Sequence, residues 1–334
     1  MTLVPHPLPY PKGEYNQDYE ETMRRIVEQN FEDLYKSIEG LKVFSDADVS
    51  LATRRHMFMA AGNGAISPGD ENVVSDYDLW MAEQIIQDTY GDAVSITAKK
   101  KTLLKFGNVD DLAATTRTTV ADLGTSLLNE TYAATDLITQ LSSSSGSDTG
   151  NAYVEGHTVT GTGASSVFTF VTQTATLVGQ STATLGTPLA RISRIANLTA
   201  TPWVGTIYAS EAGSLTAGVP TATLIHAVVP IAEQQSFKCA TTISNSDYYI
   251  ITEWGFDVAK KTSASVDFRL EIRLVGGVFR PIVFGSCTQG DSKTIRLSPP
   301  VIVPKNADVR VTGLASTTAV ETGAWFNGYL ASVS

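Results

Sequence analysis

Val266-Asp267-Phe268-Arg269-Leu270-Glu271-Ile272-Arg273-Leu274 alternates without a break, every even position apolar and every odd one charged. Successive side chains of an extended chain point to opposite faces, so this period of two predicts a strand with one buried and one wet face. Gly276-Gly277 then predicts a hairpin turn. The returning run, residues 278–284, carries Pro281, which cannot donate to a ladder and so predicts an edge strand or a bulge. Val301-Ile302-Val303 and Val309-Arg310-Val311, joined by Pro304-Lys305-Asn306-Ala307-Asp308, predict a second hairpin. The last strand is expected at 325–330, and earlier ones at 153–159, 167–171, 189–195, 205–209, 225–229 and 248–253. Short strands with turn residues at this spacing predict a jelly-roll-like β-sandwich over residues 151–334, with room for two β subdomains.

Upstream the pattern changes. Val4-Pro5-His6-Pro7-Leu8-Pro9-Tyr10-Pro11 fixes φ at alternate positions and predicts an extended arm. Pro7, Leu8, Pro9 and Tyr10 are its candidate residues for docking along a partner. In the helix that follows, Val27, Phe31, Leu34, Ile38 and Leu41 recur at alternating spacings of four and three, a heptad seam. These five are the candidate oligomerisation residues. A seam of about two heptads fits packing on its own domain as well as a three-helix junction; the sharper expectation is a trimer. Residues 45–150 mix periods: helices at 46–61 and from about Ser75, strand-like pieces at 93–97 and 102–106, then Ser142-Ser143-Ser144-Ser145-Gly146-Ser147 as an exposed loop or linker. The expected class is α+β, mainly β, divided into an arm and helix (1–44), a small mixed α/β middle segment (45–150) and the sandwich (151–334).

Only 17% of the 334 residues are charged, and the net charge of −10 argues against a phosphate-binding track. Lys99-Lys100-Lys101 with Lys105, beside Leu103, Leu104 and Phe106, reads as the solvated edge of a strand. Cys239 and Cys287 lack metal-ligand spacing and read as buried small residues, with a single bridge left open. No window approaches a membrane span, and the start lacks a signal-peptide pattern, so the expectation is a soluble protein with neither membrane nor nucleic acid as partner.

Chemistry is sparse. No HExxH, GxSxG, P-loop or EF-hand pattern occurs, and no catalytic residue, metal or cofactor is expected. Of the histidines His6, His56, His157 and His226, His157 is expected to be a structural strand residue. The pairs Asp46/Asp48, Asp76/Asp78 and Asp110/Asp111 read as caps and turns. Tyr248-Tyr249, Trp254 and Phe256 read as core in preference to a sugar-stacking ledge. Asp247, Glu253, Asp257 and Asp267 are the acids on which a glycosidase reading would depend.

The Pro-rich start leading through Tyr10-Pro11-Lys12-Gly13-Glu14-Tyr15 into the short helix ending at Leu41, the segment Thr97-Ala98-Lys99-Lys100-Lys101-Thr102-Leu103-Leu104-Lys105-Phe106-Gly107-Asn108, and the Thr/Gly-rich β-region ending Val303-Pro304-Lys305-Asn306-Ala307-Asp308-Val309-Arg310-Val311 form a recognisable organisation. It resembles the virion structural proteins of tailed bacteriophages, more narrowly the tail-fibre-like or neck-associated proteins of environmental phages. The resemblance implies a non-enzymatic homotrimer, a fibre or collar protein docked by its N-terminus at the head–tail neck or tail, with the β-domain facing outward. Adaptor, portal, tail or capsid proteins are its implied partners, and the virion its location after synthesis in the host bacterial cytoplasm. The chain departs from long receptor-binding fibres in having no shaft repeat. A capsid decoration protein, and a tail protein that binds or degrades carbohydrate, are the alternatives, with a host glycan as an open partner.

Overall fold

The alternating run forms a strand in which Val266, Phe268, Leu270 and Ile272 are buried while Asp267 is exposed. The computed structural model describes residues 82, 85–91, 94–95, 101–121, 132–259, 264–317 and 320–333. Its strands begin with β1 (Val94–Ser95), β2 (Lys101–Leu112) and β3 (Thr118–Thr119). A middle set follows: β4 (Ile138–Ser143), β5 (Thr149–Thr160), β6 (Val167–Val178), β7 (Ala183–Leu189), β8 (Arg191–Asn197), β9 (Ile207–Glu211), β10 (Leu215–Thr216), β11 (Val219–Pro220) and β12 (Ile225–Val229). The last set is β13 (Ala240–Thr242), β14 (Asp247–Val258), β15 (Ser265–Arg273), β16 (Arg280–Thr288), β17 (Ser292–Val303), β18 (Asp308–Ala315) and β19 (Val320–Val333).

The first and last sets build one sandwich of two antiparallel sheets. One sheet runs β19-β14-β17, with β1 and β2 both pairing on the far side of β19; the other runs β18-β15-β16, with β3 and β13 both pairing on the far side of β18. Their inner faces share a single core in which Trp254, Phe256 and Phe326 meet Phe268, Leu270 and Val311. The Phe256 and Phe268 rings stack across the sheets at 4.5 Å. Counting β2 as first, β3 with β13 as second, and β14 to β19 as third to eighth, the sheets read first-eighth-third-sixth and second-seventh-fourth-fifth. That is the strand order of a jelly roll, two interleaved Greek keys. Against the outer face of the first sheet, Ala82 and Ile86 pack on Tyr248, Ile250 and Ala331.

The second strand is broken. Thr118 and Thr119 pair with Gly313 and Thr312, and Val120 donates its N–H to the Val311 carbonyl. The ladder resumes when Cys239 accepts the Val311 N–H, and Ala240, Thr241 and Thr242 pair with Arg310, Val309 and Asp308. At the break Ala121 and Lys238 form an antiparallel bridge, and Cys239 donates to the Val120 carbonyl. Between these ends the chain builds a second β body, with sheets β12-β9-β4-β7 and β6-β5-β8 around Leu141, Val154, Leu189, Ile195, Trp203 and Ile207.

Three expectations change. Residues 301–311 are not a hairpin, because β17 and β18 belong to opposite sheets and Val303 and Val309 enter the same core from either side. The serine run, expected as an exposed loop or linker, turns at residues 144–147 with Gly146 and Ser147 exposed, but Ser142 and Ser143 are buried at the end of β4, where the Ser143 hydroxyl donates to Asp148 at 2.5 Å and Ser144 Oγ accepts the Thr206 N–H. Asp148 also accepts the N–H groups of Val204 and Gly205, so one carboxylate closes the neighbouring loops. A boundary at 150/151 falls inside β5, and β2 and β3 of the expected middle segment are sandwich strands, since a sandwich collects strands distant in sequence. Pro281 lies on β16, which among the described residues pairs only with β15, beside a register shift at Leu270/Glu271. The arm, the heptad helix and the helix at 46–61 lie outside the described residues.

Phe268→Ala removes a ring from the junction of the two sheets. It is expected to cost about 3–5 kcal/mol of unfolding free energy, read as a lowered denaturant midpoint.

Candidate functional site

The outer face of β15 is wet only in part. Glu271 is buried, and Arg310 on the neighbouring β18 places its Nε 2.9 Å from the Glu271 carboxylate. Beyond them lies Asp308, also buried, which holds two guanidiniums. Arg273 of β15 donates to Oδ2 through Nε at 2.9 Å, and Arg191 of β8 donates to Oδ1 through Nε at 3.2 Å. The Thr242 hydroxyl adds a 2.6 Å bond to Oδ1. Arg191 also donates to the carbonyls of Ala133 and Ala190, so each charged group in this seam has direct partners.

Aromatic rings close the cluster. Phe279, in the β15–β16 turn, lies 3.7 Å from the Arg310 guanidinium, and Tyr132 lies 4.2 Å from that of Arg273. The two rings are 5.0 Å apart. Asp308, Arg273 and Arg310 belong to the jelly roll and Arg191 to the second body, so the Arg191–Asp308 pair binds one to the other. The Asn306 side chain reinforces the joint by accepting the Phe168 N–H at 2.8 Å.

A second set of cations enters from the opposite direction. Lys105 of β2 and Lys238, at the end of the broken strand, donate to the carbonyls of Ser193 and Ile192 at 3.0 and 2.7 Å, and both are buried. Burial lowers the Lys105 ammonium to about 8, against the opposing pull of Glu155. His157 stands edge-on to Phe170 at 5.4 Å, with Nδ1 3.5 Å from Ser193 Oγ. Desolvation first, then the Lys105 charge, pushes its imidazole down to about 3, so it is neutral near pH 7. The arrangement can hold two β bodies in one orientation; it is built of satisfied pairs.

The expected site residues fare differently. Pro7, Leu8, Pro9, Tyr10, Val27, Phe31, Leu34, Ile38 and Leu41 lie outside the described residues. Lys105, expected on a solvated edge, is buried because the second body covers its end of β2. Tyr248, Tyr249, Trp254 and Phe256 are core. Cys239 and Cys287 are both free and buried. Asp110 and Asp111 are exposed at the end of β2.

The four acids of the glycosidase reading do not converge. Asp247, Glu253 and Asp257 are strung along β14, while Asp267 is on the other sheet. Four residues of strand separate Glu253 from Asp257 by about 13 Å, beyond the roughly 5–10 Å between paired catalytic carboxyls. Among the described residues no group of three or more His, Cys, Asp or Glu is placed to hold a metal ion, and no helix is long and apolar enough to cross a membrane.

No protein-family model and no curated protein matches the sequence. Two solved structures with partial likeness are those of infectious bursal disease virus. The Gx strain structure is 10% identical, covering 73% of this chain and 78% of that one with a TM-score of 0.17. The Gt strain structure is 8% identical, covering 72% and 73% with a TM-score of 0.16. Likeness at this level leaves the fold resting on the strand order.

Two outcomes follow from the seam. Arg191→Met leaves Asp308 with one guanidinium fewer in a buried setting and is expected to cost about 3 kcal/mol, measured by chemical denaturation. Between its ordinary 6.5 and about 3, His157 takes up a proton in the unfolded chain but not in the folded one, so stability falls as pH drops through that window. A His157→Phe variant should show a flatter dependence of thermal midpoint on pH over the same range.

Proposed function

We propose that this chain is a non-enzymatic virion structural protein of a tailed bacteriophage, a homotrimer docked by residues 1–44 at the head–tail neck or tail. The observation that supports it best is the joint. The second β body is inserted into one broken strand of the jelly roll and is tied to it by the buried Arg191–Asp308 ion pair, which makes a rigid unit suited to bearing load in an assembly. The spread of Asp247, Glu253 and Asp257 along β14, with Asp267 on the other sheet, favours the non-enzymatic reading. In this reading Pro7, Leu8, Pro9 and Tyr10 strap the chain to adaptor, portal, tail or capsid proteins, while Val27, Phe31, Leu34, Ile38 and Leu41 bring three copies together.

A second reading, a capsid decoration protein, is favoured by the jelly-roll strand order, an architecture used by viral capsid domains. Antibody raised against the second β body discriminates them on intact particles: label at the neck or tail supports the first, label over the head the second, and no label on any particle overturns both.

The association role has its own test. Light scattering on the purified full-length chain is expected to give the mass of three copies, and the Phe31→Asp, Leu34→Asp double variant the mass of one with its β-sheet circular dichroism kept. A double variant that stays trimeric removes the heptad residues from that role.

A further inference from the structure

Next to the Glu271–Arg310 pair, the outer face of the jelly roll carries a row of side chains that the seam does not use. It runs from Phe284 of β16 through Arg269 of β15 and Thr312 of β18 to Thr119 of β3, each directly opposite the next in the ladder. Side chains so placed are near enough to share a ligand. Arg269 is half-buried, and among the described residues its guanidinium has the Phe284 ring at 5.5 Å and no ion pair. Arg117, also half-buried, donates to the Asp267 carbonyl at 2.7 Å, and Arg269 is the next residue of that face, about 7 Å further along β15. Burial first, then the Arg269 charge, lowers the Arg117 guanidinium, against the opposing pull of Glu271 and Asp267. Two neighbouring cations thus keep most of their donors unused. Between Arg269 and Thr119, the Thr312 hydroxyl is buried without a hydrogen-bond partner, whereas the Thr119 hydroxyl has Arg310 Nη1 at 3.4 Å.

We infer that Arg117, Arg269 and Thr312 bind a tetrahedral oxyanion, a phosphate or sulfate group. A planar carboxylate is filled by one guanidinium fork, whereas two forks and a hydroxyl arriving from separate strands match oxygens that point in several directions. Arg269, held by no ion pair among the described residues, can swing to admit a ligand oxygen to the Thr312 hydroxyl at the floor of the row. The nearest acids leave the place open: Glu271 is held by Arg310, and Asp267, exposed on the same strand, makes no ion pair among the described residues. An anion here offsets the repulsion between two guanidiniums, in a chain whose net charge is otherwise −10. Phe284, 61% exposed at the end of the row, offers a ring against which the carbon side of an ester can lie. The inference stands independently of the particle assignment.

Isothermal titration calorimetry of the full-length chain with inorganic phosphate at constant ionic strength tests it, with acetate as the planar control and phenyl phosphate as the ester. Saturable phosphate binding is expected, weakened about tenfold or more by Arg269→Gln and by Arg117→Gln, and less by Thr312→Val, with acetate about tenfold weaker than phosphate. Tighter binding of phenyl phosphate, lost in Phe284→Ala, supports the site with an ester as its ligand; equal affinity supports it with the free ion. Arg269→Lys, which keeps the charge but not the fork, should fall between parent and Arg269→Gln, and it replaces Arg269→Gln if that variant loses its parental thermal midpoint. No saturable phosphate binding, binding unchanged in the folded arginine variants, or acetate bound as tightly as phosphate would each overturn the inference.

Discussion

Asp308 is the group on which the arrangement of the two bodies depends. A carboxylate this deeply buried is tolerable only if its charge is met, and it is met from both sides, by Arg273 of the jelly roll and Arg191 of the second body. Ion pairs of this kind add little stability over a well-packed apolar joint, because both charges lose their water. What they add is geometry. An apolar seam can slide by a residue at small cost, whereas displacing Arg191 from Asp308 leaves a buried guanidinium without its carboxylate and Asp308 with one guanidinium fewer.

The same economy explains the aromatic residues around the cluster. Tyr132, Phe168 and Phe279 lie against guanidinium faces, covering them without competing for the donors on their rims. The Lys105 and Lys238 ammonium groups are the mirror case, cations met by main-chain carbonyls. The joint is thus rich in cations, and His157 can sit among them only as a neutral ring.

The sandwich was legible where one face alone decided the pattern. Val266 to Ile272 show period two because the core selects every second residue, and Pro281 marked an edge because its missing N–H excludes it from a central strand. Glu271 and Lys105 were misjudged for one reason: their charge predicts water, and only a partner distant in sequence shows otherwise. Arg310 lies 39 residues from Glu271, and Ser193 lies 88 from Lys105. The serine run looked like a linker because composition cannot distinguish hydroxyls facing solvent from hydroxyls folded onto Asp148. Arg191, Asp308 and Arg273 carried a weak signal, charged residues inside or beside otherwise apolar strands, but nothing in spacing joined them.

The broken strand sets an order of assembly. During synthesis Thr118 and Thr119 emerge early, yet β18, the strand they pair with, is among the last segments made. The strands of the second body all lie between Ile138 and Val229, so that body can complete its own core while the jelly roll still lacks at least six of its eight strands. Sandwiches dominated by distant pairings fold slowly because loop closure must precede the contacts that reward it. A finished second body changes that closure: with its own core formed, it brings Ala121 and Lys238 together as a bridge, turning the longest connection of the jelly roll into a short one. The centre of the chain then serves as the template on which its two flanks find their register.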